Sequence, residues 1–155
     1  MASTPKQAKR RAPSRPTPKP KAVRLSGSKP AVAPKDVHLV PMKGTPKRGG
    51  GPGGHAWRID VDGKRVGVVF INFIDEPPIG PHASIQIYLN APSQGQKIGR
   101  TAYRMACEAS VYDVIYAHMR KSNISSWRAA EEAGFADAAL AGIIQKVMVW
   151  HRAPG

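Results

Sequence analysis

The chain is poor in several things at once, and each shortage excludes something. It has one cysteine, Cys107, in 155 residues, so no intrachain disulfide can form and a reducing compartment is expected. No apolar run approaches the ~20 residues a membrane-spanning helix needs, so no membrane partner is expected. Met1 to Lys21 lacks the apolar stretch of a secretory signal. Its prolines at positions 5, 13, 16, 18 and 20 oppose the amphipathic helix of an organelle-targeting peptide. The expectation is a cytoplasmic protein. His38, His55, His82, His118 and His151 show no metal-ligand spacing, so no metal is expected.

Acidic residues are scarce in one half only. Residues 1–55 hold 13 Lys/Arg, one acid (Asp36) and 10 of the 15 prolines. The remaining hundred residues hold 11 Lys/Arg and 9 acids. The pI of about 10.4 therefore belongs to the N-terminal part. A segment with this composition buries too little apolar surface to offset its ordering entropy. Residues 1–54 read as a disordered basic tail ending in the Gly-rich linker Lys47–Gly54, with one short strand conceivable at 37–42. Order is expected from about His55, leaving roughly 100 residues for one small domain at 55–152.

Periodicity then sets the elements. Trp57, Ile59 and Val61 alternate along 55–62, and an apolar β-branched run covers 66–73, so the pair reads as a hairpin. Ile85, Ile87 and Leu89 alternate along a third strand, 82–90. From Lys97 the period changes, with Ile98, Ala102, Met105, Ala106 and Ala109 on one helical face. A strand at 113–119, a helix at 123–133 closed by Gly134, and a strand at 143–150 follow. The fold class is α/β, a mixed sheet with two main helices.

The junction Leu89-Asn90-Ala91-Pro92-Ser93-Gln94-Gly95-Gln96-Lys97-Ile98-Gly99-Arg100 runs from a strand through a glycine-containing loop into a helix. Free N–H groups and the positive end of the dipole make a helix N-terminus attractive to anions. Gly95 and Gly99 let a phosphate approach the backbone, and Lys97 and Arg100 add positive charge. An ordinary β-to-α turn, with glycines serving geometry, explains the same residues equally well.

A second segment discriminates. A strand runs into Asn123-Ile124-Ser125-Ser126, then a helix, then Gly134-Phe135. With Gln94-Gly95-Gln96-Lys97-Ile98-Gly99 upstream, the chain resembles the GNAT N-acetyltransferases over residues 55–152. That family opens one helix with [Gln/Arg]-x-x-Gly-x-[Gly/Ala] and another with Asn-x-x-[Ser/Ala].

The resemblance implies acetyl-CoA as co-substrate, held between strands 82–90 and 113–119. Backbone N–H groups from Gln96 to Thr101, with Gln94, Gly95, Lys97, Ile98, Gly99 and Arg100 around them, would hold the pyrophosphate. The backbone of Leu89, Asn90 and Ala91 would meet pantetheine and the thioester, while Asn123 and Ser126 would flank the pantetheine arm. An amine would attack the thioester directly.

Glu76, His82 and Tyr88 are the catalytic candidates: the first two as general bases, the third as an acceptor-binding or proton-donating residue. Each also reads as an ordinary loop or strand residue. His118 reads as a satisfied polar residue and Cys107 as core. Arg128 and Glu132 form an i,i+4 pair of little worth.

Three departures from the family pattern stand out. Lys97 replaces the motif's middle glycine. Ala130 stands where many members carry a general-acid Tyr. Residues 43–54 are too short for the two helices that usually precede the second strand, so the acceptor side is open or completed by a second subunit or by the substrate. The expected partners are acetyl-CoA, a second copy of the chain, and nucleic acid or a nucleic-acid-bound protein at the basic arm. The expected function is N-acetylation of a macromolecular amine. The alternative is a catalytically inactive GNAT-like protein acting through its arm.

Overall fold

The computed structural model describes residues 29–154; residues 1–28, most of the expected tail, lie outside them. Seven strands form one sheet in the order β1-β2-β3-β4-β5-β7-β6. They are β1 Val37–Met42, β2 His55–Val61, β3 Lys64–Glu76, β4 Gly80–Leu89, β5 Val114–Met119, β6 Ala136–Asp137 and β7 Lys146–His151. Helix α1 spans Ile98–Ala109 and α2 spans Ile124–Glu132. All neighbours are antiparallel except β4 and β5.

The hairpin between β2 and β3 turns on Asp62 and Gly63, with φ of 53° and 76°. Positive φ at both positions is what a two-residue turn matched to strand twist requires, and Asp-Gly supplies it at low cost. The turn is therefore confined to these two residues, and Lys64 already pairs with Val61.

One face of the sheet packs on the helices. Ile59, Ile71, Ile85 and Ile115 are each at most 1% exposed there, against Ile98, Ala102, Tyr103 and Ala106 of α1. Each buried isoleucine contributes about 2 kcal/mol. The expected helical face is rotated slightly: Ala109 is exposed, while Gly99, Tyr103 and Cys107 are buried. Gly134 ends α2 with φ 108°.

The N-terminal boundary differs from the expectation. Order does not wait for His55: β1 pairs along its whole length with β2, Val37 opposite Val61 and Met42 opposite Ala56. Val37 is 2% exposed. The 43–54 segment is a folded loop instead of a linker. Asn72 of β3 accepts from Gly49 N–H and donates to Lys47 C=O, both at 2.8 Å. Tyr112 donates to Gly53 C=O. Gly49, at φ 82°, packs so closely that a Cβ would strike the His55 carbonyl. These glycines permit close packing, and composition alone does not separate that use from flexibility.

At the C-terminal end the expected strand 143–150 begins only at Lys146, and β6 pairs its outer edge.

Candidate functional site

The site is built where the one parallel pairing fails. β4 and β5 share only the rungs Ala83–Ile115 and Ser84–Tyr116. Beyond them the strands are unpaired with one another, although β4 runs on to Leu89 and β5 to Met119. A slot opens between two strands of one sheet.

The backbone phase decides which groups line it. Asn90 N–H donates to Val66 C=O at 2.8 Å. In an antiparallel pair alternate residues bond the same neighbour, so Ile87 and Leu89 turn their amides toward the slot. Of Leu89 and Asn90, Leu89 is the one whose N–H turns there. Its carbonyl accepts from Gln94 Nε2 at 3.1 Å. Ala91 begins a short 3-10 turn, Ala91–Ser93. Ile87 was not singled out from sequence, because the signal is a strand phase that only the register with β3 reveals.

The loop after this turn delivers α1. Gly95 has φ 82°, and no atom lies within 4 Å of where its Cβ would be. Lys97 is the N-cap, at φ 66° and ψ 15°, and no side chain caps the helix. Glycine takes such a conformation freely, whereas another L-residue pays about 1 kcal/mol. The N–H groups of Lys97, Ile98, Gly99 and Arg100 precede the first intrahelical bond. Thr101 is past that point and its side chain is 1% exposed, as is that of Ile98, so these two side chains serve the core.

Charge gathers at this helix end. Lys97 Nζ lies 3.6 Å and Arg100 Nη1 3.1 Å from the Glu132 carboxylate of α2. Glu132 thus pairs with α1 rather than with Arg128, whose guanidinium lies over Trp127. The N-terminal segment adds a cation: Lys29 Nζ donates to the carbonyls of Pro92 and Gln94 at 2.7 and 3.1 Å. Val32 N–H donates to Gln96 C=O at 2.9 Å. Three cations against one carboxylate leave an excess of positive charge around the open amides.

Asn123 caps α2, its Oδ1 accepting from Ser126 N–H at 3.3 Å. That use leaves its Nδ2 donor group uncommitted among the described residues. Ser126 Oγ meets the Tyr103 hydroxyl at 3.0 Å, and burial pushes the pKa of Tyr103 up. The Asn-x-x-Ser motif thereby joins both helices at the edge of the slot.

Residues 32–135 match the model of the acetyltransferase (GNAT) family. The chain belongs to this family. No match is found among curated protein sequences. Among solved structures, AAC(6')-Ib in complex with ribostamycin and coenzyme A is 18% identical, with a TM-score of 0.53. That match covers 64% of this chain and 65% of the other, so this chain spans just under two thirds of that protein's length. A spermidine N-acetyltransferase chimera from Vibrio cholerae and hSSAT is 22% identical over 64% of this chain and 67% of its own, with a TM-score of 0.51. At these identities the likeness is one of fold.

Of the three catalytic candidates, Tyr88 lies six residues along β4 from His82, whereas Glu76 acts electrostatically on His118 of β5. Glu76 is exposed at the end of β3. Tyr88 is 51% exposed and stacks on Phe70, with the Arg48 guanidinium 5.2 Å from its ring. His82 is 5% exposed and meets an unexpected neighbour, His118 of β5, with 2.9 Å between their Nε2 atoms. The two histidines lie 36 residues apart in the chain, and only the parallel β4–β5 register brings them together. Among the described residues no third His, Cys, Asp or Glu completes a metal-binding group with them.

Cys107 is fully buried and its thiol is pushed up to about 12 by burial, so it stays an unreactive core residue. Two concavities lie away from the slot. One of about 370 Å³ sits between Trp127 and Lys146. Another of about 430 Å³ sits beneath the 43–54 loop near Trp57. Neither is lined by residues of the α1 N-terminus. Among the described residues no helix is long and apolar enough to cross a membrane.

Proposed function

We propose that the chain transfers acetyl from acetyl-CoA to an amine. One observation carries the reading: the single parallel strand pair parts after two rungs, directly before a loop whose helix amides are uncapped. Extended pantetheine needs backbone partners along a free strand edge, and Ile87 and Leu89 provide one. A pyrophosphate needs converging N–H groups and positive charge. Lys97 to Arg100, with Lys29 behind them, provide both. The space beside Gly95 lets the phosphate reach the backbone. Asn123 Nδ2 is the donor proposed for a pantetheine carbonyl.

The acceptor is proposed to be macromolecular. The 43–54 loop covers the sheet near Asn72 and Phe70 but leaves Tyr88, on the same face, about half exposed, an open face rather than a closed pocket. The basic arm preceding residue 29 would bring the protein to nucleic acid phosphate or to a protein bound there, in a reducing, cytoplasmic setting. Ribostamycin and spermidine, named with the structural neighbours, are small polyamines. They stand as the competing acceptor class.

A second reading, a GNAT-fold binder without catalysis, draws on Ala130. That residue is fully buried in the core, so no side chain at this position supplies a proton to the departing thiolate.

The experiment is acetyl transfer from acetyl-CoA to a panel of a lysine-containing peptide, aminoacyl-tRNA and spermidine. Turnover of the first two in preference to spermidine supports the proposal. Transfer to none of them, with acetyl-CoA bound, supports the binder.

A further inference from the structure

The hydrogen bonds of the histidine pair dictate where each proton sits. Gly80 C=O can only accept, so His82 Nδ1, 2.7 Å away, carries the hydrogen. A neutral imidazole carries one N–H, which makes His82 Nε2 a lone pair. His118 Nε2, 2.9 Å from it, must then donate. The lone pair of the array ends on His118 Nδ1, which has no hydrogen-bond partner among the described residues. His82 is buried and held edge-on by Tyr116 at 5.1 Å between ring centres, whereas His118 is half-buried. His118 follows Tyr116, the last residue of β5 paired to β4, by two positions. It therefore stands where the slot begins.

We infer that His118 Nδ1 is the base that takes the acceptor's proton, and that His82 is a positioning residue that fixes its tautomer. This rests on the acetyltransferase reading. His82 itself has both ring nitrogens engaged. Tyr88 lies six residues farther along β4 from His82, and Glu76, exposed at the end of β3, acts on His118 only through its charge.

The step balances simply. The acceptor ammonium gives one proton to His118 Nδ1. The freed nitrogen lone pair forms the C–N bond to the thioester carbonyl carbon. The C–S bond breaks, its electron pair leaves on sulfur, and the amide nitrogen sheds its remaining excess proton to solvent. The protonated His118 still donates from Nε2 to His82.

The groups facing His118 are His82 from β4, Glu76 from β3, Tyr116 beside it on β5, and apolar Val147 from β7. Burial first, then His82, lower its proton affinity, and Glu76 acts in the opposite sense. A base that stays unprotonated at neutral pH is the outcome.

Long-range ¹H–¹⁵N correlation on the full chain reads the tautomers without any acceptor. His82 is expected as the Nδ1–H form and His118 as Nε2–H; His82 as Nε2–H overturns the inference. Activity is read with acetyl-CoA and a short peptide carrying a free α-amine and one lysine. His118→Ala is expected to lower kcat about 100-fold, to leave KM for acetyl-CoA within about twofold, and to remove the acidic limb of the pH profile. His82→Gln keeps an acceptor for His118 and retains most activity, while His82→Leu loses it. Full activity in His118→Ala, with the wild type active, overturns this inference alone. Failure of the wild type to bind acetyl-CoA overturns the acetyltransferase reading itself. Where the peptide is not turned over, the tautomers decide.

Discussion

The amide of Val32 donates to the carbonyl of Gln96 across 2.9 Å, tying the segment before β1 to the loop that opens α1. The bond turns the Gln96 carbonyl toward Val32 and places the Lys29 ammonium over the same loop. The N-terminal segment thus bears on the anion site as well as on the sheet edge. Val32→Pro removes one donor and should weaken CoA binding about fivefold, the equivalent of roughly 1 kcal/mol. Lys29→Met, at an exposed position, should cost about two- to fivefold, with a shallower salt dependence. Isothermal titration at two salt concentrations measures both.

Gly95 separates folding from binding. A side chain there meets no protein atom, so Gly95→Val costs only the left-handed backbone penalty, about 1–2 kcal/mol. The added Cβ would occupy the proposed phosphate approach. A cooperative melt with at least a tenfold loss of CoA affinity is expected. Unchanged affinity would place the pyrophosphate elsewhere.

Lys97 carries a cost that glycine would not. Lys97→Gly should raise stability by up to about 1 kcal/mol, read as a shift in denaturant midpoint. It also removes a cation beside the amides, so CoA affinity should fall modestly as stability rises.

Asn123 has two separable roles. Asn123→Ala removes the helix cap and should cost about 1 kcal/mol. Asn123→Asp keeps an accepting oxygen for Ser126 N–H but replaces the Nδ2 donor with an acceptor. It should melt near the wild type and lose acetyl-CoA affinity.

The histidine pair makes stability pH-dependent. His118 has a lowered proton affinity in the folded state, so in its titration range the unfolded chain binds more protons. Stability then rises with pH through that window. It is complete above the ordinary histidine value of about 6.5 and is lost as pH falls from there through the lowered folded value. His118→Asn should flatten this part of a plot of midpoint against pH.

Much of the architecture was legible because the signals were local. The alternating run 55–62 followed by the apolar run 66–73 marks a hairpin, although not its turn at Asp62-Gly63; the change of period at Lys97 marks α1, and Gly134 marks the end of α2. The 43–54 loop was not legible, since its glycines pack through backbone contacts with His55 and Asn72 that composition does not encode. β1 carries a weak local signal because its partner strand lies across that loop. At the site, the Gly95–Arg100 and Asn123–Ser126 segments each carry a motif within a few residues. The His82–His118 contact and the slot-facing amides of Ile87 and Leu89 depend instead on the register of three strands.

The most direct test follows backbone amide resonances during a CoA titration of the full chain. Saturable shifts confined to Ile87, Leu89 and Lys97 to Arg100, with the Asn123 side-chain amide moving in step, are the predicted result. No shift at these positions at millimolar CoA, or shifts clustered instead around Trp127 and Lys146, would contradict the account.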